Sequence, residues 1–283
     1  MCGSYQLLVV WGIELNASKT EVLWCASSRR QHQIPRTSVR VCSNFIQPAS
    51  SVRDLGIYLN ADASMRTHFS RTVSNCFAVL RQIWSIRRSL TRPVLQSLVV
   101  SLVMPRLDYD NATLAGLPDN QRSRLQSVLN AAARLVFSTR QQELVSPLLR
   151  DLHWLPVPQR IEFKLAVLTY RCLHLMAPPY LANELHRVED IDSRRRLRSA
   201  STSTLVVSPT RHSTIGDRAF PVAASRVWNS LPSSVTSSTS LSAFRRRLKT
   251  ELFSRCFGLD TVWNCCSMLF FCVLFYCKVF LQS

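Results

Sequence analysis

The apolar residues of this chain change their spacing near Met65, and that change constrains the fold more than any other feature of the sequence. Upstream they come in short runs, at residues 7–11, 21–25 and 52–59, separated by polar stretches carrying Ser, Arg and Pro35. Such runs read as strands. Downstream, Phe69, Val73, Phe77, Leu80 and Trp84 fall three and four apart, which places them on one face of an amphipathic helix. A second helix is expected to open at Pro93, where a first turn tolerates the missing N–H. It carries Leu95, Leu98, Val99, Leu102 and Val103 on a wide, buried face until Pro105 breaks it. A third opens behind Asp119 as cap and lines up Leu125, Val128, Leu129, Ala132 and Val136.

Further on, Pro156 and Pro158 precede a periodic stretch at 161–173, and Pro178 and Pro179 follow it. Two more helices are expected near 217–230 and at 241–253, the latter with Leu241, Phe244, Leu248 and Leu252 on one side. The expected fold is therefore mainly α, with a small β-rich region at the amino end. Its divisions are a strand-rich region at 1–62, a helical region at 63–186, a basic helical region at 187–257 and an apolar Cys/Phe-rich tail at 258–283. Past Arg187 the chain turns polar, Ser/Thr-rich and basic, with one strand-like run at 205–207, which reads as a linker or flexible boundary. No internal repeat is visible.

The six glycines, at positions 3, 12, 56, 116, 216 and 258, are too far apart to build a phosphate-cradling loop. Dinucleotide fingerprints and P-loops are excluded. Ten cysteines show no paired CxxC spacing, and the six histidines stand apart from them, so neither a zinc site nor a disulfide framework is indicated. No basic start followed by a long apolar core marks the chain for export. A reducing compartment is expected, with an intracellular location in nucleus or cytoplasm.

Charge points to a partner. Lys and Arg number 35 against 17 Asp and Glu, a formal net charge of +18, and 31 of the basic residues are arginines. Arginine's planar fork suits bidentate contact with phosphate, so nucleic acid is the first partner to consider. An anionic membrane surface would satisfy the same charge, and so would water around solvent-facing side chains. Residues 187–257 alone hold 13 basic and 5 acidic residues, a net of +8.

Metal-assisted phosphoryl chemistry needs carboxylates a few ångströms apart, and the close acidic pairs are Asp108 with Asp110 and Asp190 with Asp192. Residues two apart in a strand share a face, which would let the first pair approach a metal together. The favoured reading makes it a capping, solvent-facing pair before the turn at Gly116 and Pro118; the second pair offsets the arginines beside it. His153, next to Trp154, reads as a packed histidine at a helix end. No grouping of residues singles out an active site.

The 17 uncharged residues at 261–277, dense in Phe, Leu and Cys, are marginal for a bilayer, where about 20 are usual. If they inserted, Arg245, Arg246, Arg247, Lys249 and Arg255 would hold the bulk of the chain on the cytosolic side. The competing reading is an aggregation-prone run-on end.

Several phrases, taken in order, resemble one family. They are LNASKTEV from Leu15, VRDLGIYLNADASMRTHF from Val52, RLDYDNATLAGLP from Arg106, LQSVLNAAARLVF from Leu125 and LHWLPVPQRIEFKL from Leu152. MAPPYL from Met176, GDRAFPVAASRVWNSLP from Gly216 and SLSAFRRRLKTELF from Ser240 complete the series. The series is similar to the reverse transcriptases of non-LTR, LINE-class retrotransposons of the jockey-like type, over about residues 15–253. The first phrase looks like the Lys-Thr-Glu segment that follows the family's catalytic motif, and the second like the hairpin and thumb entry.

The resemblance implies a palm remnant at 1–62, a thumb-like unit at 63–186 with its helices from 65 to 137, and the family's carboxy-terminal region beyond. The family's catalytic aspartates lie in an aromatic-Ala-Asp-Asp turn and an earlier strand, both upstream of the Lys-Thr-Glu segment. No such doublet occurs here, and Asp110 stands where relatives commonly carry cysteine. The expectation is a truncated, catalytically inactive fragment of an RNA-directed DNA polymerase, without catalytic residues or the ligands for the family's Mg²⁺, and so without cofactor. By the same resemblance, Lys19 would sit near the incoming nucleotide or primer end, and Gly56 would allow the hairpin that grips the primer.

What the residues themselves could support is non-specific binding of an RNA or DNA template-primer duplex through its phosphates. The candidates are Lys19, Arg81, Arg87, Arg88, Arg134, Arg140, Arg245, Arg246, Arg247 and Lys249. A palm supplied in trans would be a further partner. The alternatives are a membrane-associated protein anchored at 261–277 and a transposon relic without function.

Overall fold

The structure is a computed structural model that describes residues 16, 18–41, 44–109, 115–116, 118–190, 204–211 and 216–258. The run at 7–11, Asp110, Asp192, the arginines at 194–198 and the apolar stretch at 261–277 lie outside the described residues. The fold is mainly α with a small β region at the amino end. It divides into two compact units, residues 1–71 and 72–283.

The first unit contains two antiparallel hairpins. Strand β1 (Val39–Val41) pairs with β2 (Asn44–Ile46), and β3 (Ser51–Asp54) with β4 (Ile57–Asn60). The expected run at 52–59 is thus two strands around a two-residue loop, because Asp54 is directly opposite Ile57. Leu55 and Gly56 both take positive φ, 45° and 88°, as a tight hairpin turn demands. Glycine accepts that conformation without cost, whereas Leu55 adopts it with its side chain in solvent. The expected strand at 21–25 is reduced to a single parallel bridge between Val22 and Pro48. The Gln31 amide ties this irregular segment down by donating to the carbonyls of Ala26 and Ala61 at 2.6 and 2.9 Å.

Helix α1 (Arg66–Ile86) opens with Asn60 accepting the Thr67 N–H at 3.2 Å and donating to the Thr67 hydroxyl at 2.8 Å. Asp62 accepts from the Ser64 hydroxyl at 2.5 Å and N–H at 3.0 Å, and pairs with Arg66. Burial would raise its pKa, but these bonds together bring it below the ordinary carboxylate value.

In the second unit, α1 continues to Ile86 and is followed by a 3₁₀ turn (Arg87–Ser89) and α2 (Arg92–Leu102). Helices α3 (Met104–Asp108), α4 (Asp119–Phe137), α5 (Val145–Asp151) and α6 (Val157–Leu173) come next. They are followed by α7 (Pro179–Ala182), α8 (Phe220–Asn229), α9 (Ser233–Thr236) and α10 (Leu241–Phe257).

Three expectations need correction. Helix α1 buries Val73, Cys76, Leu80 and Ile83, whereas Trp84 is 49% exposed; Ile83 and Trp84 stand about 100° apart, on opposite flanks of the apolar stripe, and spacing alone does not say which flank faces inward. As expected, α2 stops ahead of Pro105, at Leu102, and Pro105 itself sits in the first turn of α3, where its missing N–H has no helical partner to lose. Asp119 is not the cap of α4. Pro118 holds that position, and the Asp119 carboxylate pairs with Arg122 one turn along. The wide face expected for α2 also buries only Leu95 and Val99 within the helix, leaving Leu102 exposed.

The largest side chains of the second core come from α6, α8 and α10. Phe244 stacks on Tyr170 at 4.4 Å and on Trp228 at 5.8 Å, and the Tyr170 hydroxyl donates to the Ser238 carbonyl at 3.0 Å. The boundary expected at 186/187 falls within this packing, for Leu185 and Leu205 belong to the same buried cluster. The strand expected at 205–207 is a single bridge between Arg187 and Leu205. Asn229 holds it in place of a second strand: its side-chain oxygen accepts the Leu205 N–H at 2.9 Å, and its amide donates to the Leu205 carbonyl at 2.8 Å. Both backbone groups of a 1%-exposed residue are thereby satisfied.

Candidate nucleic-acid interface

The arginines fall into two groups by what their guanidinium groups meet. In the first, each is used as a strut. Arg160 on α6 grips Asp108 through Nε to Oδ1 at 2.7 Å and through a second bond from Nη2 to Oδ2. The pair joins helices 52 positions apart in sequence and is largely buried, with the Asp108 side chain only 9% exposed. Arg226 pairs with Asp217 at 3.0 Å. Arg255 reaches Glu251 at 2.8 Å and the Ser230 carbonyl at 2.9 Å, and Arg247 donates to the Ser234 carbonyl at 3.0 Å. These bonds fasten α10 to the loop after α8 and to α9.

The second group lies at one end of the α1, α2 and α4 helices. Between Asp62 and Asp108 the sequence carries seven arginines, Arg66, Arg71, Arg81, Arg87, Arg88, Arg92 and Arg106, and no carboxylate. Arg81 and Arg88 are exposed, and neither has a carboxylate partner among the described residues. Arg87 lies over the Trp84 indole, its guanidinium carbon 3.3 Å from the ring centroid, and its Nη1 donates to the Trp84 carbonyl at 3.3 Å. Arg92, in the first turn of α2, covers the Phe137 ring at 3.8 Å. That contact brings the α1–α2 turn to the last turn of α4, where Arg134 lies, with Arg140 three residues past the helix end. Arg134 donates to the Glu143 carbonyl at 3.3 Å, while the Arg140 N–H donates to the Glu143 carboxylate at 3.2 Å. Arg140's guanidinium is exposed.

Placed on this map, the ten residues singled out by sequence separate. Arg81, Arg87, Arg88, Arg134 and Arg140 come together at the end just described. Lys19 belongs to the first unit, exposed in a turn closed by its N–H to the Asn16 carbonyl at 3.0 Å. On α10, Arg246 is exposed, Arg245 and Lys249 are half-buried, and Arg247 is a strut. Arg245 is near enough to the half-buried Lys164 to disfavour its charge. Burial is the main cause of that lysine's lowered pKa; Asp108 opposes the shift, and Arg160 and Arg245 add to it. Sequence reasoning missed Arg92 and treated Trp84 as a core residue. The signal that could have found both is the stretch between Asp62 and Asp108, which supplies no carboxylate of its own to its arginines.

Nothing in the described residues is poised for covalent or metal chemistry. Asp108 is committed to Arg160, and no group of three or more His, Cys, Asp or Glu could hold a metal ion among the described residues. Burial pushes the Cys76 thiol up to about 11 against the pull of Arg106 and raises Cys172 as well, so neither is an activated nucleophile. Burial lowers His68. His153 ends α5 in a left-handed conformation, φ 54°, and stacks on Phe253 at 5.7 Å. Cys25, Cys76, Cys172 and Cys256 are free thiols. Among the described residues no helix is long and apolar enough to cross a membrane. No protein-family model, curated protein or solved structure matches this chain.

Proposed function

We propose that this chain binds nucleic acid through the phosphate backbone, with little sequence preference, and that it derives from a retrotransposon reverse transcriptase of the non-LTR class. The observation that carries the binding reading is the cluster Arg81, Arg87, Arg88 and Arg92, held on helices in a stretch of sequence without a single carboxylate. A guanidinium with no internal anion is free to exchange its counterion for a phosphate. Arg134 and Arg140 extend the same end. The family origin rests on the ordered phrases from Leu15 to Phe253. Polymerase chemistry is not part of the proposal, because the sequence contains no Asp-Asp doublet and Asp108 is neutralised by Arg160.

The test is a filter-binding titration of a primer-template duplex across a salt series, run beside a primer-extension assay. Four phosphate contacts would give a log–log salt slope of about −3.6 on B-form DNA. The expected result is steep salt dependence without extension. Affinity that does not change with salt would contradict the binding reading, and extension by the purified chain would overturn the assignment of Asp108 as a structural group.

A further inference from the structure

We infer that Trp84 is a stacking platform for an unpaired base, so that the ligand of the arginine-rich end is single-stranded nucleic acid or the single-stranded flank of a duplex. The inference rests on the nucleic-acid reading above and sharpens it. Trp84 is 49% exposed on a helix whose core stripe is already filled by Val73, Cys76, Leu80 and Ile83. The indole is held rather than loose, because Arg87 covers one face of the ring and is itself bonded to the Trp84 carbonyl; a base would stack on the guanidinium plane or on the ring's other face. Arg81, three residues before it, and Arg88, four residues after it, lie on the same side of the helical course. A flat aromatic surface between cations that track a backbone is the arrangement by which single strands are held without regard to sequence.

Other occupants fit less well. A lipid surface or a hydrophobic partner requires several apolar side chains along one face. The other exposed apolar residue at this end of α1, Ile86, is two positions from Trp84 and therefore about 200° around the helix. Trp84 stands as a single aromatic among guanidinium groups, which suits a base rather than an acyl chain.

The experiment uses the full chain and three fluorescent probes of equal length: a single-stranded oligonucleotide, the same sugar-phosphate strand without bases, and a blunt duplex. The wild-type chain should bind the complete strand at least about fivefold more tightly than the base-free strand. Trp84→Ala should lose that preference while its duplex affinity and salt slope stay the same, and Trp84→Phe should recover most of it. Unaltered circular dichroism and thermal midpoint would show that the variants fold. Equal binding of the complete and base-free strands by the wild type would overturn the stacking role and leave backbone binding standing. Equal losses on all three probes for Trp84→Ala would overturn it as well, assigning Trp84 to the shape of the helix end. Failure of the wild type to bind any probe would sink the nucleic-acid reading itself. A fourth arm with phosphatidylserine vesicles covers the remaining occupant, and binding to the vesicles alone would overturn the stacking role and give the surface to lipid.

Discussion

The end of the α1–α2 hairpin and the body formed by α6, α8 and α10 use the same residue in opposite ways. In the body, arginines complete the structure: Arg160 neutralises Asp108, Arg226 meets Asp217, and Arg255 and Arg247 close on loop carbonyls. At the hairpin end, Arg81 and Arg88 meet no carboxylate among the described residues, and Arg87 and Arg92 lie on aromatic rings. The net charge of +18 is thus not a uniform property of the surface. Part of it is consumed internally, and one group of the other arginines gathers where α1, α2 and α4 end. A count of arginines cannot make this division; only the positions of the carboxylates can.

The comparison breaks most severely at Arg160. Arg160→Ala should destabilise the chain by about 3 kcal/mol, because it removes the two-point guanidinium partner of the buried Asp108 carboxylate. The midpoint of denaturant unfolding measures this directly, and a change below about 1 kcal/mol would place Arg160 with the surface cations.

Asn229→Ala tests the body in the same way without altering charge. It should cost about 1–3 kcal/mol, since the Leu205 N–H and carbonyl lose their partners in a buried setting. Proteolysis near residue 205 should quicken in that variant, because the segment is fastened there by Asn229 and by the pairings of Val188 and Val206 across to residues 204 and 186.

How far the sequence showed this division depends on the range of each interaction. The helices were legible because their apolar spacing runs for several turns and prolines mark their ends, as with Pro156 before α6. The Leu55–Gly56 turn was not legible from the spacing, which gave one run at 52–59; only the family resemblance pointed to a hairpin at Gly56. Nor was the inward side of α1, because Ile83 and Trp84 flank the same apolar stripe and either could turn toward the core. The partnership of Arg160 and Asp108 was out of reach, since nothing local announces a contact across 52 positions. The role of Leu205 was hidden for a similar reason: a three-residue apolar run in a basic, Ser/Thr-rich stretch looks like a linker until Asn229 is seen to bind its backbone. At the site, five of the ten residues singled out by charge lie at one end of the helices, while Arg247 serves as a strut.

A smaller effect, and one dependent on pH, is expected at Glu162 on α6. Burial raises its pKa above the ordinary value of 4.5, with Arg255 and Arg122 pulling the other way. The folded chain therefore holds this proton more tightly than the unfolded chain does, and stability falls as pH rises from 4.5 through the folded value. Glu162→Gln should raise the thermal midpoint at pH 7 and lose that advantage below about pH 4. An advantage that persists in acid would mean that packing, not charge, sets the difference.

The smallest effect on stability belongs to the hairpin end. Arg81→Ala and Arg88→Ala, with Arg246→Ala on α10, should each change stability by less than about 0.5 kcal/mol, as expected for exposed side chains. A larger loss at any of them, read from denaturant midpoints, would move that arginine into the structural group.

The division is tested most directly by the salt dependence of binding in two triple variants. One replaces Arg81, Arg87 and Arg88 by alanine, and the other replaces the struts Arg226, Arg247 and Arg255. Titrated with the same oligonucleotide from low to moderate salt, the first should lose about 2 to 3 from the log–log slope, roughly 0.7 to 0.9 for each phosphate contact removed. The second, kept at a temperature where it remains folded, should retain the wild-type slope. Equal losses in the two variants would contradict the account, for they would show that the chain binds through its charge as a whole.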